Sequence, residues 1–217
     1  MIACLLWDID GTLIDTTSLI VKALDHTYRT FLNNTLSVNA IRDLIGIPLR
    51  EQMLALGDPS AQGIDVAEME REFIRFYETN RQLERVIPES IEALKNGYVR
   101  GWKTALVTSK NHAEIANTLP RLNIASCLAA VVTADDVTNP KPDPESVRKA
   151  LAICHALPQE AIFIGDTIHD MRAGQEAGVR RCAVLWGAGR REQLEAESPD
   201  FICEDPAKLW DLLLSQA

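Results

Sequence analysis

Several short stretches of this chain are apolar from end to end, and each stops abruptly at a small or polar residue. Ile2 to Trp7 halts at Asp8-Ile9-Asp10-Gly11, Thr104 to Val107 at Thr108-Ser109, Ala161 to Ile164 at Gly165-Asp166, and Cys182 to Trp186 at Gly187-Ala188-Gly189; Ala129 to Val132 is a weaker fifth case. Apolar runs of four to six residues without alternation suit strands buried on both faces of a parallel sheet. Helical spacing occupies Glu89 to Asn96, His112 to Leu119, Pro144 to Ala156 and Thr167 to Ala177, the last closed by Gly178. Strands alternating with helices imply crossover connections, and so an α/β fold with a Rossmann-like parallel sheet flanked by helices. Such sheets bind ligands beyond the carboxyl ends of their strands, where the polar clusters of this chain fall.

One region breaks the alternation. From about Thr16 to Arg85 strand signals vanish and apolar residues recur at helical intervals, as in Leu19, Ile20, Ala23, Leu24 and in Met69, Phe73, Phe76, Tyr77. The pattern predicts an all-helical insertion at residues 16–85 in a core made of residues 1–15 and 86–217. Its joints are expected at Asp15 to Ser18 and at Arg81 to Pro88, where the proline constrains re-entry. A length of 217 residues suits one large domain with a modest insertion.

Charge narrows the partners. The formal net charge is −9 and neither sign forms a long block, so the electrostatic footprint of a nucleic-acid binder is absent. The opening apolar run has no basic flank and meets two acids at once, which fits neither a signal peptide nor a membrane span. The five cysteines include no Cys-x-x-Cys and no partner histidine at zinc spacing, so they read as buried thiols in a reducing compartment, the cytoplasm.

The densest chemistry lies in Asp8-Ile9-Asp10-Gly11-Thr12-Leu13. Two carboxylates at i and i+2 of an extended chain lie roughly on one side and repel each other. They persist where a hard cation bridges them, or where one is an ionised nucleophile and the other a proton carrier. A solvated acidic turn is the bland alternative, and the buried strand before the pair and the Gly-Thr after it weigh against that. Thr108 and Ser109 offer hydroxyls and free amides above a strand end, although a Thr-Ser pair there is by itself an ordinary helix cap. Lys141 is held in Asn139-Pro140-Lys141-Pro142-Asp143-Pro144, a stiff loop that a surface lysine would not need; a fixed cation suits a phosphoryl group. Gly165-Asp166-Thr167-Ile168-His169-Asp170 repeats the pattern of a strand followed by an acid, with Asp170 about one helical turn beyond Asp166. Either acid singly passes as a helix N-terminal residue complementing the macrodipole. That account leaves the convergence of four acids and a lysine on one edge unexplained.

Taken together, Asp8-Ile9-Asp10-Gly11-Thr12, Thr108, Lys141-Pro142-Asp143-Pro144 and Gly165-Asp166-Thr167-Ile168-His169-Asp170 make the chain resemble the haloacid dehalogenase superfamily, with all four motifs in order. It is most similar to the branch of phosphoglycolate phosphatases, related pyrophosphatases and phosphosugar mutases, whose helical cap is inserted at this point. The resemblance implies a phosphatase for a small phosphate ester, with Asp8 as nucleophile forming an aspartyl phosphate and Asp10 as the acid that protonates the leaving oxygen and then activates water. It implies that Thr108 and Lys141, with Ser109 beside them, hold phosphoryl oxygens. Mg²⁺ would be held by Asp8, the Asp10 carbonyl and Asp166, with Asp170 supporting or completing the site. Asp10 separates the chain from the dehalogenases, which resemble it at the nucleophile and lack an acid two residues later.

Mutase and pyrophosphatase activity stay open at this point, and a receiver-like phospho-aspartate switch is disfavoured because receivers are smaller and carry their acceptor on a later strand. In the insertion, Gly46-Ile47-Pro48-Leu49-Arg50-Glu51 resembles the loop that such caps lower over the site, which marks Arg50 as a substrate-binding cation. Gly187-Ala188-Gly189 lacks the third glycine of a dinucleotide fingerprint and is assigned no cofactor. His26, His112, His155 and His169 have no metal-ligand spacing.

Overall fold

The structure is a computed structural model that describes residues 2–33, 35–55 and 59–216. In chain order the elements are β1 (Cys4–Trp7), β2 (Ile14–Asp15), α1 (Thr17–Leu32), α2 (Val38–Arg42), α3 (Leu49–Leu54), α4 (Val66–Thr79), β3 (Arg85–Val86), α5 (Pro88–Val99), β4 (Lys103–Val107), α6 (His112–Leu122), β5 (Ala130–Val132), α7 (Glu145–Cys154), β6 (Ala161–Gly165), α8 (Ile168–Ala177), β7 (Arg180–Val184), α9 (Arg191–Ala196), β8 (Phe201–Cys203) and α10 (Leu209–Leu214). Six strands form one sheet in the order β5-β4-β1-β6-β7-β8. Every pairing in it is parallel. The α/β class read from the apolar runs is the observed one.

The strand most constrained by sequence is the most central. Alternate residues of β1 serve opposite layers: Leu5 and Trp7 pack with Ile91 and Leu94 of α5 and Ile115 of α6, whereas Cys4 and Leu6 pack with Val147 and Ala150 of α7 and Ala173 of α8. A strand covered on both faces has no polar side to show, which is why its sequence is a continuous apolar run. The chain moves outward from β1 through β4 to β5, then returns to β6 on the other flank and proceeds to β8. The site therefore opens at the carboxyl end of β1, where the two directions diverge.

Two features were not legible as strands. The sixth strand, β8, is three residues of an edge, half-buried along Phe201 and Ile202, and carries too little apolar signal to stand out. In β7 the strand starts at Arg180, two residues before the apolar run, and Leu185 and Trp186 lie beyond it. Arg181 can occupy a sheet interior because its guanidinium donates to the carbonyl oxygens of Glu197 and Ser198 at 2.8 and 2.7 Å. Its stem lies against Gly174, where a Cβ would come within 2.9 Å of Arg181 Cγ.

Helices α1 to α4 leave the core after β2 and the chain returns through β3, which pairs antiparallel with β2. They enclose a hydrophobic cluster of their own around Leu19, Leu24, Tyr28, Met53, Met69 and Phe73. Tyr28 can be buried there because its hydroxyl donates to the Gln52 carbonyl oxygen at 2.6 Å. One core residue joins this cluster: Ala188, from the loop after β7.

Candidate active site

Asp8 continues the β1 ladder by one step, its amide donating to the Ile164 carbonyl oxygen at 2.9 Å, so the backbone sets where its side chain leaves the strand end. Beyond it the chain folds back at once. The amides of Thr12, Leu13 and Ile14 all donate to the Ile9 carbonyl oxygen, and Gly11 turns with φ 77°. This left-handed turn needs glycine for a second reason: a Cβ there would lie 2.2 Å from Asp166 Oδ2.

Asp166, at the end of β6, is fully buried. Its Oδ1 accepts from the Thr12 hydroxyl at 3.1 Å and its Oδ2 from the Ala188 amide at 2.7 Å. Asp170 lies in the first turn of α8, where its Oδ2 caps the helix by accepting from the Thr167 amide (3.0 Å) and hydroxyl (2.6 Å). Lys141, 2% exposed, ties the cluster together: its Nζ donates to Asp8 Oδ1 at 2.7 Å, Asp170 Oδ1 at 2.6 Å and the Val107 carbonyl oxygen at 3.3 Å.

Asp10 faces the other way. Its Oδ2 lies 2.8 Å from Lys110 Nζ and its Oδ1 accepts from the Thr16 hydroxyl at 2.8 Å. Lys110 is buried too and stands over the Tyr77 ring at 5.6 Å from its centroid. Neither Lys110 nor Thr16 was singled out from the sequence. Lys110 follows directly on Thr108-Ser109 at a helix start, where a buried lysine and a surface lysine look alike.

The electrostatics follow from this burial. Loss of water raises the Asp8 carboxyl to about 7, with Asp170 and Asp10 pushing the same way against the nearby Lys141 charge. Asp166 is raised well above the usual carboxylate range by burial and by the charges of Asp8 and Asp170, in spite of the bonds from Ala188 and Thr12. Lys141 and Lys110 go upward even though burial opposes it, because the carboxylates they face outweigh it. Two ammonium groups, Lys141 and Lys110, face four carboxyl groups, and burial holds protons on Asp8 and Asp166 where no further cation balances them. One oxygen from each of Asp8, Asp166 and Asp170 lies within 4.8 Å of the others. Three buried carboxyl groups this close together make an all-oxygen set of the kind that suits a hard divalent cation.

Between this edge and the insertion lies a cavity of about 50 Å³, bounded below by Asp8, Asp10, Thr108 and Lys110 and above by Ile45, Gly46, Leu49, Phe73 and Tyr77. Thr108 is anchored by its amide to the Val132 carbonyl oxygen at 3.0 Å, and its hydroxyl accepts from the Lys110 amide at 3.2 Å. Ser109 borders the cavity, but its hydroxyl donates to the Gly46 carbonyl oxygen at 2.6 Å and so ties the core to the insertion. Arg50 is not brought to the site: its side chain is exposed and pairs with Glu70 at 3.2 Å. The helix that carries it turns Leu49 and Gln52 to the cavity instead. Asp8, Asp10, Thr108, Lys141, Asp166 and Asp170 are brought together.

The family model of the haloacid dehalogenase-like hydrolases matches residues 5–184. The chain belongs to that family. Pyrophosphatase PpaX of Bacillus cereus is 33% identical over 218 residues, covering 96% of this chain and 93% of that protein. Among solved structures, a hydrolase from Pseudomonas syringae superposes with a TM-score of 0.86 at 24% identity over 99% of both chains. CbbY from Rhodobacter sphaeroides, solved in complex with phosphate, gives 0.81 at 21% identity over 96% of both. The two structures share the fold. The chain is thus an enzyme, and the expectation of a phosphoric ester hydrolase of this superfamily holds. Among the described residues no helix is long and apolar enough to cross a membrane.

Proposed function

We propose that the protein hydrolyses a small phosphate monoester with Mg²⁺, through a phosphorylated Asp8. The observation that carries this reading is the division of the site into two differently held acids. Asp8 is buried and gripped on one oxygen by Lys141, whereas Asp10, two residues on, borders the cavity with its carboxylate aimed by Lys110 and Thr16. One acid is placed for attack on phosphorus and the other for proton transfer at the oxygen opposite.

In the first step Asp8 Oδ2, the oxygen not held by Lys141, attacks phosphorus, and Asp10 gives its proton to the departing oxygen. In the second, Asp10 takes a proton from water as that water attacks phosphorus and frees the Asp8 carboxylate. Lys141 and Thr108 hold phosphoryl oxygens throughout, since positioning and charge neutralisation are most of what phosphoryl transfer needs. Asp8, Asp166 and the backbone at Asp10 would hold Mg²⁺, whose contribution is to offset charge on the phosphoryl oxygens. Asp170 lies within reach of the same cation and also orients Lys141, which donates to its Oδ1 at 2.6 Å.

The insertion, residues 16–85 on a core of residues 1–15 and 86–217, acts as a lid that excludes water during transfer. A cavity far below the roughly 300–1,000 Å³ of drug-sized ligand sites favours a compact substrate. Phosphoglycolate is the compact ester taken as the first reading. Pyrophosphate is a second reading, favoured by the relative named for that activity. The five free cysteines, four of them buried, fit a cytoplasmic enzyme. The test is release of inorganic phosphate from phosphoglycolate, pyrophosphate, a hexose phosphate and an aryl phosphate, with Mg²⁺ and with EDTA. EDTA-sensitive release from phosphoglycolate supports the monoester reading, and such release from pyrophosphate alone replaces it with the second. Isomerisation of the hexose phosphate without release would replace it with a mutase, and activity indifferent to EDTA would remove the metal.

A further inference from the structure

Arg42, the last residue of α2 in the insertion, reaches across to the core. Its Nε donates to the Ala188 carbonyl oxygen at 2.9 Å and its Nη2 to the Gly187 carbonyl oxygen at 3.0 Å. The other sides of the same two peptide groups face Asp166. The Ala188 amide, in one peptide unit with the Gly187 carbonyl, donates to Asp166 Oδ2 at 2.7 Å, and the Gly189 amide, in one unit with the Ala188 carbonyl, donates to the Asp166 carbonyl oxygen at 3.0 Å. A trans peptide points its N–H and C=O in opposite directions, so each unit relays a bond from the guanidinium on one side to Asp166 on the other. Bonds in such a chain polarise one another, and a cation on the carbonyl makes the amide a better donor to a carboxylate.

The stack has no slack. A Cβ at Gly187 would lie 2.1 Å from Asp166 Oδ2, and one at Gly189 would lie 2.1 Å from the Asp166 carbonyl oxygen. Ala188 between them is buried in the insertion's own hydrophobic cluster with Ile41 and Ile45. Next to Arg42, Asp43 accepts from Gln193 at 3.1 Å and pairs with Arg190 at 3.3 Å, so the end of α2 grips residues on both sides of the turn into α9. A single peptide thickness thus separates a cation of the insertion from a buried carboxylate of the site. The planar fork of arginine is what spans two adjacent carbonyls.

We infer that Arg42 is a positioning residue: through the two peptide units 187–188 and 188–189 it holds Asp166 in its cation-binding orientation only while the insertion is docked. The inference rests on the assignment of Asp166 to the divalent cation made above. It couples two events that the fold otherwise keeps apart, since docking of the insertion strengthens cation binding and a bound cation strengthens docking by the same factor.

The experiment titrates the full-length protein with Mn²⁺ alone, reading free Mn²⁺ by electron paramagnetic resonance, for wild type, R42A and R42K, with hydrogen exchange at the Ala188 and Gly189 amides. R42A is expected to bind Mn²⁺ roughly tenfold or more weakly, the usual cost of removing an outer partner of a metal ligand, and to exchange both amides faster. R42K keeps the charge but loses the fork, and is expected to remain weaker than wild type. If R42A does not fold, R42K decides alone. Wild-type Mn²⁺ affinity in the folded variants overturns the inference while leaving the catalytic reading intact. Failure of the wild-type protein to bind Mn²⁺ removes the metal reading, and this inference with it.

Discussion

The core edge and the insertion face each other across one cavity, yet their functional side chains are held in different ways. At the core edge Asp8, Asp166 and Asp170 sit on strand ends or in a first helical turn, each fixed by main-chain bonds or by a neighbouring side chain with no freedom to swing. On the insertion, Leu49 of α3, Phe73 and Tyr77 of α4 and Ile45 from the loop between α2 and α3 line the cavity, and the one cation expected there, Arg50, lies outside against Glu70. The reacting groups are placed by backbone path, whereas the opposite wall is placed by helix packing. Backbone placement tolerates few substitutions. Packed walls tolerate many, provided volume is kept.

The largest effect is expected at Asp8. D8N preserves shape but supplies neither a nucleophile nor full charge, so kcat is expected to fall by roughly four orders of magnitude or more with the fold retained, as measured by phosphate release and circular dichroism. Next is G187A. The added methyl would lie 2.1 Å from Asp166 Oδ2 and must displace a carboxylate buried on every side. A loss of about 10²-fold in kcat is expected, because an ångström of misplacement costs about that much; activity near wild type would show that the core edge yields more than its packing implies.

A smaller effect separates the two regions by pH. In the unfolded chain Asp8 titrates near 3.8, and in the metal-free fold near 7. Below pH 4 both states are protonated and there is no differential. Between about pH 4 and 7 the unfolded chain has released the proton and the native state still binds it, so stability falls as pH rises. Asp166 acts in the same direction. Melting curves in EDTA should therefore show wild type losing ground to D8N across that window, and Mg²⁺ should restore wild type most at the upper end. A gap that stays constant with pH would refute the raised Asp8. The smallest effect is expected at Arg50: R50A should change kcat/KM by less than about twofold, because an exposed pair with Glu70 contributes little. A large loss on the best substrate, absent with an aryl phosphate, would mean that Arg50 swings inward during turnover.

Legibility divided along the same line. The runs at β1, β4 and β6, and more faintly at β5, could be read because burial on both faces leaves a continuous apolar signature, and Asp8 and Asp166 stood out because each ends such a run. Gly178 closes α8 in the left-handed conformation, φ 76°, as its position suggested. What stayed hidden depends on contacts between distant segments. Lys110 becomes significant only when Asp10 is brought to it, and Thr12 only when Asp166 is. The Gly187-Ala188-Gly189 turn resembled a fragment of a nucleotide-binding loop; its glycines are required because Asp166 lies against them. Arg50 pairs with Glu70 on the outside here because loop resemblance fixes the path of a backbone and leaves open the side of the helix to which a long side chain turns.

The ribbon of β2 and β3 is the least conspicuous part of the sheet architecture, with Ile14 paired to Val86 and Asp15 to Arg85. Antiparallel partners stand only about 5 Å apart, so the chain leaves the core and comes back to it at almost the same point. To the sheet, everything between these four residues is a detour of no net displacement. A gene could exchange that detour for another by a splice at a single spot without breaking the β1 ladder, provided the substitute renewed the Thr16 contact to Asp10 and the Arg42 contact to the Gly187-Ala188 turn. The ribbon makes the helical segment a replaceable cassette, and gives evolution a way to retarget the chemistry without reinventing it.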